Sequence, residues 1–486
     1  MKQKEYAEIY GNKFVGTLPM IVMLAGIVTC ALTGLRSPIC YWACCFAAIT
    51  VGFFLYKDKK EFNDALMEAT GNRTLRTLMM TLFFAGIMSK VIAAGGLVSG
   101  LVWLISSLKI DTAFIPVISF IIGTIMSTAT GTAVGTVAAL GPLMIPLAAA
   151  LGCNVALVAG AVLSSAVFGD NLAPISDTTI ASALSQQTEV GRVVRSRLKY
   201  SLIGAGFTVI MLIIFGLKTS AGGVSSADAN PADAINLIFI IIPAIVIAVT
   251  FKTGNLVTSL IIGNFVGFVM LFAMGKVDFA GFAGKEGIIA KGVSGMINIT
   301  VFIYFIFLVT GIVKSCGTLD AVIDWLSAKA KTSRSAELIC NLITTVMVVC
   351  LVSGTATCAL AGPLERNIMA PYHVARDRSA NMLDGLATGT ASMLPFSSNC
   401  LTLVEFAVAT GVVASNFGPF DVMRYNFHGM ALIVIFWISA ITGWGRTYET
   451  DEQLAKEGIY LDKEHSVPIP EGAKISKYVY KGTTEA

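Results

Sequence analysis

Apolar runs of about 17 to 25 residues recur from Phe14 nearly to Trp444, the length at which a helix crosses a hydrocarbon layer of ~30 Å. One such run would be ambiguous, but ten require lipid as solvent. Hydrophobic residues fill 55% of the 486 positions and charged ones only 13%, more apolar surface than a soluble core of this size can absorb. The predicted crossings are residues 14–34, 40–56, 78–94, 154–187, 200–217, 234–250, 254–274, 298–313, 379–410 and 425–445. The charged start, Met1 to Lys13, carries no small-residue cleavage site and reads as the flank of a retained first span.

Two segments, 113–151 and 337–370, read instead as pairs of short apolar helices around a Gly/Ser/Thr-rich break, hairpins that enter and leave on one side. With both termini inside a bacterial-type cell membrane, the positive charges of Lys57 to Arg76, Arg192 to Lys199 and Lys329 to Arg378 fall inside. The linker 218–233 falls outside; Lys276, Lys285 and Lys291 fit that rule less well. The net charge of +4 is scattered, so no basic stripe points to nucleic acid. The ten cysteines lie mostly in apolar runs without paired spacing and read as small apolar fillers.

A shift of 221 residues lays Gly141-Pro142-Leu143 on Gly362-Pro363-Leu364, Pro174 on Pro395, Ser176 on Ser397, Thr132 on Ser353 and Thr136 on Thr357. A shift of 222 also lays Trp103-Leu104 on Trp325-Leu326. Each half then holds five crossings and one hairpin, and an odd number of crossings turns the second copy upside down. The expected architecture is an all-α polytopic membrane protein with two re-entrant hairpins and two broken helices. Its halves are 1–217 and 234–445, followed by a cytosolic tail, 446–486.

Inside the first broken helix, Phe168 to Thr179 interrupts an apolar span with Gly169, Asp170, Asn171, Pro174, Ser176, Asp177 and Thr178. Proline cannot donate to the helical ladder and glycine tolerates unwinding, so carbonyls are freed there. Freed carbonyls and carboxylates suit a desolvated alkali cation. Two acids this close in lipid disfavour joint ionisation, so a proton and a sodium ion can compete for one charge. Capping of the second half-helix by Ser176 or Asp177 is the competing structural role.

The first tip, Ser127-Thr128-Ala129-Thr130-Gly131-Thr132-Ala133-Val134-Gly135-Thr136, offers hydroxyls and flexible backbone, with Thr132 and Thr136 singled out; the second offers Ser353, Thr355 and Thr357. The second break has Ser397, Ser398 and Asn399 in place of acids, a neutral cradle for a weaker ion or a polar group of a substrate. Asp384 lies on a polar stripe with Thr388 and Ser392, and either carries a second proton or pairs with nearby Arg378. Glu405 is a further candidate acid, whereas Lys90 and His373 read as an interfacial lysine and a solvated loop histidine.

The stretch Phe168-Gly-Asp-Asn-Leu-Ala-Pro-Ile-Ser-Asp-Thr-Thr179, preceded by the Gly131 to Gly141 hairpin, resembles the NhaC family of sodium/proton antiporters over most of residues 78–445. Ala173 departs from the serine usual before that proline. The resemblance implies ion binding at Asp170, Asn171, Ser176, Asp177 and Thr178, with tip contacts from Thr132 and Thr136. It also implies a scaffold with a mobile, elevator-type domain, commonly in a homodimer. Relatives of that family exchange organic acids, so the expectation has two forms. One is exchange of Na+ for H+ without a cofactor; the other is coupled transport of a small organic solute. No HExxH, GxSxG or comparable catalytic set appears in the spans, so an enzyme is not expected.

Overall fold

Helix Val155–Leu172 is apolar around its whole circumference, and such a helix is stable only when surrounded. It packs against helices Ile115–Thr130, Ala133–Ala150, Val190–Thr219 and Phe427–Thr442. The computed structural model describes residues 6–35, 37–219, 230–253, 255–318, 321, 329–414, 416–455 and 466–476. Most of the linker 218–233, the Trp325-Leu326 pair and parts of the tail lie outside these residues.

Among the described residues the architecture is helical, with isolated β-bridges only. Ten helical stretches among the described residues are long and apolar enough to cross a membrane. Peripheral helices leave large apolar side chains exposed, among them Leu32, Phe46, Phe54 and Phe265, as lipid contact requires. By contrast, 89% of the apolar window of Val155–Ser185 is buried, against 28% for Lys13–Leu32, so the broken span is central. The chain is a multi-pass membrane protein.

The repeat seen in the sequence recurs in the elements. Helix starts at Ala133, Val155 and Asp177 are matched by starts at Gly354, Arg376 and Ser398, each 221 residues later; Thr130 and Leu351 end the first hairpin arms at the same interval. The packing is reciprocal as well. Second arm Gly354–Met369 lies on half-helix Asp177–Ser185, and its counterpart Ala133–Ala150 lies on Ser398–Val408.

Several expectations are corrected. The hairpin arms are not short: Ile115–Thr130 and Ala133–Ala150 have 16 and 18 residues, Ser333–Leu351 and Gly354–Met369 have 19 and 16. The second arms continue as helix through Pro142, Pro146 and Pro363. Several arginines counted as loop charge are buried in ion pairs. Arg192 and Arg376 hold Glu449 at 3.0 and 2.9 Å, and Arg378 holds Glu337 at 3.2 Å. A buried cation needs such a partner.

Those ion pairs also bring the tail into the fold. Glu449 is buried, Tyr448 bridges Val374 on one side and Ile475 on the other, and buried His373 is within hydrogen-bond distance of Ser466 at 2.8 Å. His373 is therefore a packed side chain, not a solvated one.

Candidate functional site

The first break forms because Ala173 precedes a proline, a position from which α-helical geometry is sterically disfavoured. Ala173 is extended, with φ −70° and ψ 131°, and the chain re-enters helix only after Ser176. Ser176 is the N-cap, its Oγ accepting from the Thr178 amide at 3.3 Å. The same hydroxyl donates to Asp170 Oδ1 at 2.8 Å and lies 2.9 Å from Thr178 Oγ1. A serine hydroxyl has one proton, so Thr178 must be the donor to Ser176, leaving its own lone pairs free for a cation.

Asp177 occupies the first turn of the second half-helix, where the dipole favours an anion. It is exposed and takes no part in the Asp170–Ser176–Thr178 cluster. The two acids of the motif thus differ: one is held inside the break and one stands at its rim.

Both hairpin tips meet this break. Gly131 turns the first with φ +66°, and a methyl there would lie 2.6 Å from Ile175 Cγ1 and 3.1 Å from the Ser176 amide nitrogen. A methyl on Gly169 would overlap Ser127 and the Thr128 amide, so hairpin and broken helix touch backbone to backbone. From the other half, Gly354 faces the break, where a methyl on it would make ordinary contact with Thr178 Cγ2 at 3.4 Å. Gly131→Ala combines a strained φ with overlap and is expected to destabilise by about 1–3 kcal/mol. A lower midpoint of thermal unfolding in detergent checks it.

The tip threonines named from sequence bond locally. Thr136 Oγ1 donates to the Thr132 carbonyl at 3.1 Å, and Thr357 Oγ1 donates to the Ser353 carbonyl at 2.8 Å, the same bond 221 residues on. Ser353 Oγ also caps its arm, accepting from the Ala356 amide at 3.2 Å, and Thr355 is half-buried at that tip. Two threonines that sequence reasoning left unassigned are better placed to give a ligand. The hydroxyls of Thr128 and Thr130 are buried without a hydrogen-bond partner, on the stretch that runs along Gly169 to Ser176. An orphaned buried hydroxyl is costly unless something fills its place.

Behind the break lies a charge pair that neither motif disclosed. Arg197 Nη2 is 2.6 Å from Asp384 Oδ2, and both side chains are fully buried. Asp384 also accepts from Thr179 Oγ1 at 3.0 Å and Thr388 Oγ1 at 2.9 Å. Arg197 donates to the Asn171 carbonyl, to Thr179 Oγ1 at 2.9 Å and to Asn381 Oδ1 at 3.1 Å; Ser201 donates to Asn171 Oδ1 at 3.0 Å. Asn171 is therefore directed to the guanidinium through its carbonyl, on the far side of Asp170. The expected Asp384–Arg378 pairing is not formed. Six residues on a helix is about 600° of rotation, so the two side chains leave from different faces.

In the second break Ser397 is buried, and Ser398 and Asn399 are half-buried with no side-chain hydrogen bond. The cradle is uncharged. Glu405 is buried in the same half-helix, Ser398–Val408, beside Phe406, from which a methyl on Gly141 of the first hairpin's second arm would lie 2.6 Å. Glu365, which sequence reasoning passed over, is buried between the second hairpin's arms and accepts from Thr344 Oγ1 at 2.6 Å.

Comparison with known proteins places this geometry. The chain is 25% identical over 419 residues to the "Malate-2H(+)/Na(+)-lactate antiporter" of Bacillus subtilis, covering 80% of this chain and 86% of that one. It is 23% identical over 426 residues to the "Na(+)/H(+) antiporter NhaC" of Alkalihalophilus pseudofirmus, covering 82% and 90%. To the "Arginine/ornithine antiporter ArcD" of Halobacterium salinarum it is 21% identical over 342 residues, 65% of this chain and 69% of that one. Among solved structures the YdaH transporter of Alcanivorax borkumensis aligns with 89% of this chain and 98% of that chain, at a TM-score of 0.40 and 13% identity. The profile of the Na+/H+ antiporter family matches residues 12–217 and 232–443, both halves of the repeat, and the chain belongs to that family.

Proposed function

We propose that this secondary transporter exchanges Na+ for H+ by alternating access, with Asp170 as the group that carries either ion. The observation behind this reading is the convergence on one unwound segment of Asp170, Ser176, Thr178 and both hairpin tips, the first turned at Gly131 and the second at Val352. A carboxylate at membrane depth is costly alone, so it takes a proton or a cation, and the same oxygen cannot hold both. Ser176 and Thr178 supply hydroxyl oxygens beside it, Thr128 and Thr130 can supply two more, and Asp177 offers an outer carboxylate at the rim. Asp384, tied to Arg197, serves as fixed countercharge.

The element repeat at 221 residues supports an inverted pair, and the proposed elevator moves the hairpins and broken helices as one unit against the outer helices. A homodimer in a bacterial-type inner membrane, with both termini cytoplasmic, completes the proposal. Purified protein in vesicles is expected to release trapped protons when Na+ is added, with Li+ weaker and K+ inert. Absence of Na+-dependent proton movement in either direction would refute the reading.

The uncharged second break favours a second form. Ser397, Ser398 and Asn399 offer unpaired polar groups that can hold the carboxylate or amine of a small organic solute, Na+ or H+ being the driving ion. The malate/lactate and arginine/ornithine exchangers among the relatives give it weight. A small organic acid or amino acid of that kind should raise the unfolding midpoint in the presence of Na+, because it binds only the folded state. No shift with any such solute leaves plain ion exchange.

A further inference from the structure

We propose that the cavity between the first turns of helix Val190–Thr219 and the tail segment at Lys474–Ser476 binds the phosphate headgroup of an anionic glycerophospholipid. The cavity holds about 500 Å³, and its lining includes Arg195, Leu198, Lys199, Leu202 and Lys474. Arg195, Leu198, Lys199 and Leu202 follow at i, i+3, i+4 and i+7 and so share one helix face. All four are exposed, as is Lys474 across from them. No carboxylate among the described residues pairs with Arg195, Lys199 or Lys474. The charged groups behind them are already engaged: Asp377 with Arg192 at 3.7 Å, and Arg378 with Glu337 at 3.2 Å.

Position along the helix selects a lipid over a free anion. Thirty residues make a helix of about 45 Å, which exceeds a hydrocarbon core of about 30 Å by roughly ten residues. The first ten residues are those that carry Arg192, Arg195, Arg197 and Lys199. From Leu202 to Leu217 the exposed side chains are apolar, Ile203, Phe207 and Ile210 among them, before Lys218 at the far end. The polar boundary therefore crosses the cavity, with Arg195 and Lys199 towards the water side, Leu198 between them and Leu202 on the chain side. Lys199 Nζ lies 4.6 Å from the centre of the Tyr200 ring and 5.8 Å from that of Trp444, the two residue types concentrated at membrane interfaces. A soluble phosphate would gain nothing from Leu198 and Leu202, whereas an acyl chain covers them.

Native mass spectrometry of the full chain in detergent, titrated with phosphatidylglycerol, phosphatidylcholine or inorganic phosphate, tests this. Phosphatidylglycerol should bind in preference to phosphatidylcholine. Arg195→Gln with Lys199→Gln should weaken it roughly thirtyfold, at about fivefold per cation near an anionic headgroup. Lys474→Gln alone, on the tail and away from the helix, should cost about fivefold. The charge-matched control Lys60→Gln with Arg73→Gln should change nothing. Equal binding of the two lipids, unchanged binding in the double variant, or displacement of phosphatidylglycerol by millimolar phosphate would overturn the proposal.

Discussion

Asp170→Asn is expected to remove Na+-driven proton movement altogether, with a loss of Na+ affinity of about a hundredfold or more, while the protein still folds. The amide fits the same space and can accept the Ser176 bond, so the break and its cap survive. What disappears is the charge that makes a proton and a cation alternatives at one oxygen. Asp177→Asn should cost less, about tenfold, because that carboxylate is exposed at the rim and makes no bond within the cluster. Transport assays in vesicles on both variants, with unfolding midpoints alongside, separate the two acids. Equal losses would show that the rim acid shares the ion directly.

The second large effect is on stability. Arg197→Met leaves Asp384 buried and unpaired, which is expected to destabilise by about 3–5 kcal/mol, enough to prevent recovery of folded protein. Arg197→Lys should fail nearly as badly, since a single ammonium cannot reach Asp384, Asn171, Thr179 and Asn381 as the guanidinium fork does. Adding Asp384→Asn to Arg197→Met removes the stranded charge and should restore most of the loss. Yields and thermal unfolding of the three variants check this. A single Arg197→Met variant as stable as the parent would contradict the role of the pair.

How far the sequence disclosed this molecule depends on the range over which each signal acts. The two breaks and the first tip were legible because Pro174, Pro395 and Gly131 act on their own backbone, whereas the second tip turns at Val352, a residue type that does not mark a left-handed turn. The 221-residue register was legible because paired proline and small residues mark the same bends twice. Asp170 with Ser176 and Thr178 was legible because a capping serine works within a few residues. Arg197 was not, because a cation near a helix start in a membrane protein looks like a loop charge; only folding places it against Asp384, 187 positions away. Glu449 was missed for a similar reason, lying in a polar tail whose docking depends on Arg192 and Arg376. Thr128 and Thr130 were hidden among small residues whose hydroxyls are ordinarily satisfied by their own helix, as those of Thr136 and Thr357 are.

Calorimetric titration of Na+ into the purified protein, repeated in buffers of different ionisation enthalpy, reads Na+ affinity and protons released per ion together. The expected result is saturable binding that releases about half a proton at the pH of half-protonation, rising towards one at lower pH as affinity falls, and no such binding in Asp170→Asn. Na+ binding of undiminished affinity in Asp170→Asn, or binding without proton release at any pH, would contradict competition for a single carboxylate in the first break.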